Sequence, residues 1–432
     1  MNQIMVGKTS RNWSDYWKNL ILFAAICFFI VYIIGSFGSR SVGGDFLGYW
    51  SVGKIADQKG FSEIYYLENL RRTQLEALDR LGYSGLADEN LYSTMPAPYL
   101  SFFLLPFKYL SRIELIYSYW TWTLLNLAIL IGYLVFFLRR TSPGFTSKVS
   151  SLKLLLLMLF SWPVLINILE GQVTVFLLVC AGEFIRSSVA KKPLLAGIWL
   201  GGLLLKPQLL ILIIPILVIK RDWKLLGGFC LASGIISMIS FSLSGFSGFN
   251  GLLNLWLKQS GGMLLSNPRA MMNWRMIGEN INAFMNTSFG WVVTVLGMVL
   301  TILAGYFLIR RKPSFGSLEW VMTMLGIFST TLAITWHSHA HMAMILIPFL
   351  MYASTYKSLA KKVIFLWGIT SQVTYIGISI INLLAIFIMK IDIPDYTSIV
   401  IAFSAFIINL MILISTLKYK ETQPETLVEC AG

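Results

Sequence analysis

The stretch LILFAAICFFIVYIIGSF (Leu20–Phe37) runs for 18 positions without a charged residue. Crossing a ~30 Å hydrocarbon core takes ~20 such residues in a helix. Comparable blocks recur at Leu152–Leu169 and Val363–Met389. Over 432 residues, 56% are hydrophobic and only 12% charged, with a mean hydropathy of +0.71. A soluble domain carries about 25% charged residues and shows its apolar residues as faces rather than blocks. A soluble enzyme, a nucleic-acid-binding domain and a secreted disulfide scaffold are therefore excluded. The chain reads as an all-α polytopic membrane protein, one integral membrane domain over residues 1–432.

The net charge of +14 follows the apolar blocks. Basic clusters such as Arg139/Arg140, Lys191/Lys192, Lys220/Arg221/Lys224, Arg310/Arg311/Lys312 and Lys361/Lys362 sit just outside them. Placing all such clusters on the cytoplasmic side, where Lys and Arg are retained, gathers 21 basic against 7 acidic residues, the whole excess. No nucleic-acid partner is expected. Cys27, Cys180 and Cys230 lie in apolar blocks and Cys430 in the tail, so no disulfide framework is implied. The first apolar segment has no small-residue cleavage motif close behind it and reads as a retained anchor.

Charge alternation then predicts twelve crossings, near 20–37, 114–138, 153–169, 172–186, 193–206, 207–219, 225–243, 289–309, 318–336, 340–355, 363–388 and 397–416, with both termini cytoplasmic. The segment Ala97–Ser111 reads as a re-entrant or half-membrane helix broken near Pro106, because a full crossing there would invert every later loop. Two long outer loops follow, at 38–96 and 244–289. In the first, Leu67, Leu70, Leu78 and Leu81 share one helical face opposite charged residues, the pattern of an interfacial amphipathic helix.

A few polar residues need explanation. Asp45, in Gly43-Gly44-Asp45-Phe46-Leu47-Gly48-Tyr49-Trp50, reads either as a partly desolvated general base or as the N-cap of a short helix. Tyr49 lies one helical turn on, with Trp50 beside it, as candidates for an aromatic sugar site. All three histidines fall in His337-Ser338-His339-Ala340-His341; their alternation is unlike a helical zinc site, and phosphate binding or proton relay suits them better, with a polar turn as the plain alternative. Lys206 interrupts the apolar run Ala196–Ile219. An uncompensated lysine at that depth costs ~2.5–3.5 kcal/mol and so should face a cavity, a partner or an anionic ligand. Glu170-Gly171-Gln172, Lys206-Pro207-Gln208 and Asn267-Pro268-Arg269 with Asn273-Trp274-Arg275 map to the same outer side. A carboxylate, histidines, a deep lysine and loop arginines together suit a lipid with an anionic head.

The order of these motifs resembles the membrane-embedded C-type glycosyltransferases that use polyprenyl-phosphate sugars, specifically glycosyltransferase family 87. The likeness rests on Gly44-Asp45-Phe46 with Tyr49, Tyr92 through Pro98 followed by Leu104-Leu105-Pro106, Gly171-Gln172-Val173, Lys206-Pro207 with the run closing on Lys220-Arg221-Asp222-Trp223, and Ser338-His339. It departs from the family at Met95-Pro96-Ala97-Pro98, where Tyr-Pro-Pro is often seen.

The resemblance implies inverting transfer of a sugar, most often mannose, from a polyprenyl-phosphate carrier to an acceptor hydroxyl of a glycolipid or glycan. Asp45 would be the base, and Lys206, Arg275, His339 and His341 would hold the donor phosphate. Tyr49, Trp50, Gln172, Gln208, Asn273 and His337 would line the substrate site. No metal or other cofactor is expected, because the leaving group is a phosphomonoester. Membrane lipids are the surroundings, and the bacterial inner membrane, with the site on its periplasmic face, is the expected location. The competing readings are a transporter or flippase for lipid-linked sugars and a periplasmic-face glycan polymerase or ligase.

Overall fold

The computed structural model describes residues 13–38, 42–82, 94–141, 148–260, 267–356, 358–385 and 396–419. Tyr92, one of the family-like positions, lies outside the described residues. Among those described there is no strand, so the all-α expectation holds. The chain divides into two units, Met1–Ser41 and Val42–Gly432. The first holds one apolar helix, α1 (Trp13–Gly38). The second holds everything that builds the polar cluster.

Its helices are α2 (Gly44–Gln58), α3 (Leu67–Arg80), α4 (Ser101–Leu110), α5 (Leu115–Thr141), α6 (Lys148–Leu159), α7 (Trp162–Leu169), α8 (Thr174–Val189), α9 (Pro193–Gly201), α10 (Ile213–Ile219), α11 (Trp223–Ser260), α12 (Trp274–Met285), α13 (Gly290–Arg310), α14 (Leu318–Ile334), α15 (Ile347–Thr355), α16 (Lys361–Leu384) and α17 (Thr397–Lys418). Six helices (α1, α5, α11, α13, α16 and α17) are long and apolar enough to cross a membrane. The pair α6–α7, bent by 42°, makes a seventh if it counts as one span.

The other expected crossings are short apolar helices, among them Pro193–Leu205 and Pro207–Ile219. Length therefore supports six or seven spans where hydropathy suggests twelve. Pro163 and Pro207 each open a new helical segment, while Thr174–Val189 and Leu318–Ile334 fall short by length alone, at 16 and 17 residues.

Two further segments differ from the sequence reading. α4 continues through Pro106 without a break. A proline there removes only its own N–H bond to the carbonyl four residues back, which a ten-residue helix survives when its neighbours hold it. The second outer loop begins within α11, which bends at Gly245 (φ 62°, ψ −171°) and stays helical to Ser260; α12 also lies within that loop.

α2 is fixed by an aromatic cluster. Phe46 meets Phe107 at 6.2 Å and Tyr119 at 5.4 Å, Tyr49 meets Phe107 at 5.0 Å, and Phe107 meets Trp122 at 4.7 Å between ring centroids. Such pairs add about 0.5–1.5 kcal/mol each beyond area burial. They hold the start of α2 against α4 and α5. On α3, the buried residues are Leu70, Gln74 and Ala77; of the predicted apolar face Leu67, Leu78 and Leu81 are only half-buried. Gln74 exchanges hydrogen bonds with the Met95 peptide at 2.8 and 3.0 Å, which fastens the strap leading into α4.

Candidate active site

The cluster starts at the first turn of α2. Gly43 is the N-cap residue and the helix begins at Gly44. Asp45 therefore sits inside the first turn and is not the cap that one sequence reading allows. Its Oδ2 accepts a hydrogen bond from Gln172 Nε2. Burial raises the Asp45 carboxyl above its ordinary range, outweighing the opposing pull of Lys206 and of the Gln172 bond. Tyr49, one turn on and 1% exposed, donates to Gln172 Oε1 at 3.1 Å and shares a hydrogen bond with Tyr99 Oη at 3.2 Å.

The turn between α7 and α8 aims Gln172. Gly171 (φ 64°) takes the left-handed conformation that ends a helix, its N–H reaching Ile168 O at 3.1 Å while Gln172 N–H reaches Asn167 O at 2.8 Å. That is the bonding of a Schellman motif, and glycine is the residue that adopts it without strain. Asn167 Oδ1 then accepts from Thr174 N at 3.2 Å and opens α8. From α5, Trp122 Nε1 donates to Gly171 O at 2.8 Å, and Tyr119 Oη to Ile168 O and Leu169 O at 3.0 Å each. Loop carbonyls that would otherwise be orphaned at this depth are thereby satisfied.

This turn lies directly on α2. A Cβ on Gly43 would fall 2.4 Å from both the Glu170 carbonyl carbon and the Leu169 oxygen. Backbone cannot yield to that, so Gly43→Ala is expected to cost about 1–3 kcal/mol, as overpacking does. It should lower both the melting temperature in detergent and turnover. An unchanged melting temperature would show that the two segments part freely.

Lys206 comes from a break. The residue before a proline is pushed out of the helical region, and Lys206 stands at φ −135°, ψ 82° between two 3-10 turns. Its side chain is 4% exposed. Nζ donates to Gln172 Oε1 at 3.1 Å and meets His341 Nε2 at 2.8 Å. An ammonium has no acceptor, so His341 Nε2 accepts and its proton sits on Nδ1. The His339 ring stacks on His341 at 5.9 Å and 17°. Burial first, then the charge of Lys206, pushes His339 down to about 4, so it is neutral and a hydrogen-bonding group rather than a cation.

Asp45, Gln172, Lys206 and His341 thus form one hydrogen-bonded chain, with Tyr49 on its centre. The other sequence candidates divide. Arg275 is 6% exposed, with Nε 3.5 Å from Glu279 and its guanidinium carbon 4.3 Å from the centre of the Trp336 ring. Asn273 caps α12 through Met276 N at 3.0 Å and donates to Thr335 O at 2.7 Å, so it ties α12 to the histidine loop. Trp50 points elsewhere, its Nε1 on Ile113 O at 3.1 Å. Gln208 and His337 are both half-buried, and His337 lies close enough to His339 to act on it electrostatically.

Glu170, which the sequence singles out only as part of Glu170-Gly171-Gln172 and with no role assigned, lies against the start of α2. Burial, and secondarily the charge of Asp45, pushes its carboxyl up to about 7. Its place in a Glu-Gly-Gln turn next to an apolar run was the available signal. Among the described residues no group of three or more His, Cys, Asp or Glu side chains converges as a metal site does.

Helices long and apolar enough to span a bilayer make this an integral membrane protein, and its polar residues converge on one buried chain of contacts. A family model, glycosyltransferase family 87, matches residues 97–335. The chain belongs to that family and is a glycosyltransferase, which sets aside the transporter and flippase reading. The match contains Gln172, Lys206 and Arg275; Asp45, His339 and His341 fall outside it. No curated protein and no solved structure matches the chain.

Proposed function

We propose that the protein transfers a sugar, mannose being the first candidate, from a polyprenyl phosphate to an acceptor hydroxyl on the outer face of the membrane. The observation that carries this reading is the chain Asp45–Gln172–Lys206–His341, a carboxylate and an ammonium held apart by one amide. The acceptor O–H gives its proton to Asp45 as its oxygen bonds the anomeric carbon. The bond from that carbon to the phosphate oxygen breaks, and the electron pair leaves on the polyprenyl phosphate. Lys206 and His341 stabilise that charge where it develops. Arg275 adds a guanidinium from α12, the planar donor that suits phosphate. No metal ion takes part.

The test is transfer by the purified full chain. Radiolabelled polyprenyl-phosphate mannose, supplied with a membrane lipid extract, should yield a new labelled product and free polyprenyl phosphate at a rate that EDTA leaves unchanged. Label that moves only from a polyprenyl diphosphate oligosaccharide would favour the polymerase or ligase reading instead.

A further inference from the structure

A helix begins with backbone N–H groups that have no partner inside the helix. In α2 those of Gly44, Asp45 and Phe46 all go to one residue. The Glu170 carboxylate takes the N–H groups of Gly44 and Asp45, and the Glu170 carbonyl takes that of Phe46 at 3.0 Å. The next N–H, of Leu47, already bonds within the turn, to Gly43 O at 3.0 Å. Space at the contact is matched to this: Gly43 has no room for a Cβ, and a Cβ on Gly44 would stand 3.6 Å from Glu170 Oε2. One glutamate therefore terminates the helix that carries Asp45.

We infer that Glu170 is a positioning residue, fixing the first turn of α2 and holding the first proton that the Asp45–Glu170 pair takes up. The inference rests on Asp45 as the base. A carboxylate at a helix N-terminus is favoured by the helix dipole, yet two carboxylates at one turn oppose each other's ionisation. The groups that face Glu170 sharpen this opposition: Asp45 and Tyr49 from α2 and Tyr119 from α5 add no positive charge. Lys206, at the far end of Gln172, favours the ionised form of Asp45. As pH falls through neutrality Glu170 takes up a proton, the opposition is relieved, and Asp45 keeps its charge to lower pH than it otherwise would.

The test uses the full chain in detergent with two variants. Glu170→Gln keeps an oxygen able to accept from both N–H groups and removes the charge. Its kcat/KM profile, measured with polyprenyl-phosphate mannose, should lose the inflection near pH 7 at which wild-type Glu170 gains its proton, while the acid limb set by Asp45 stays in place. Infrared titration of protonated carboxyl groups, which needs no substrate, supplies a second reading: in Asp45→Asn the midpoint of the Glu170 band should move down by roughly one pH unit. A residue of purely structural weight would lower turnover at every pH and move neither. An unmoved Glu170 band in Asp45→Asn, or an inflection near neutrality that persists in Glu170→Gln, overturns the inference. Retained turnover in Asp45→Asn with the bands still coupled overturns the base assignment alone.

Discussion

Asp45→Asn is expected to lower turnover by about 10²–10⁴-fold, the range for loss of a general base, with thermal unfolding unchanged. Asparagine keeps the shape and offers Gln172 Nε2 the same acceptor oxygen that Asp45 Oδ2 provides. What it lacks is basicity. The alternative role for Asp45, capping α2, is occupied by other groups: Gly43 is the cap residue and Glu170 takes the free N–H groups of the first turn. An active Asp45→Asn protein would remove Asp45 from the chemistry. The raised carboxyl also places the acid limb of the wild-type profile above the ordinary aspartate range. The deprotonated form is the base, so activity should fall as pH drops through that limb.

Lys206→Met should weaken donor binding by roughly 10- to 150-fold, taking about 1.5–3 kcal/mol for a hydrogen bond to a charged group. The fold should survive. Gln172 Oε1 keeps its bond from Tyr49 at 3.1 Å, and replacing a buried ammonium by an apolar chain of similar length removes a desolvation cost. Titration of the detergent-solubilised variant with synthetic polyprenyl-phosphate mannose measures the effect directly. Unchanged affinity alongside reduced turnover would move Lys206 from the phosphate to the acceptor side of the site.

The sequence is most legible where a residue contradicts its surroundings. Lys206 stands out because it interrupts an apolar run, and Asp45 because glycines and aromatics flank it; both prove to belong to one chain of contacts. Tyr49 follows from helical spacing. The same spacing argues against Trp50, since one residue more turns a side chain about 100° around the helix, here toward Ile113 O.

What stays hidden depends on contacts far apart in sequence. Glu170 and Asp45 meet only because the end of α7 abuts the start of α2, and no local pattern announces that. Gly43 reads in sequence as freedom to turn, yet its φ −59° and ψ 137° are open to any residue. It is the missing Cβ that matters, at a backbone contact of 2.4 Å. The number of spans escapes hydropathy for a different reason. Several apolar stretches fold as helices of 10–17 residues or as a bent pair, and hydropathy with charge alternation does not record where a helix stops.

The proposed reaction is a single displacement with one base, and the anomeric configuration of the product decides it. Purified protein supplied with β-linked polyprenyl-phosphate mannose and a membrane lipid extract should form an α-linked product, read by NMR of the isolated material. Inversion is what one carboxylate accepting the acceptor proton produces. A β-linked product would mean that the acceptor oxygen does not attack from the face opposite the phosphate, which rules out the single displacement proposed.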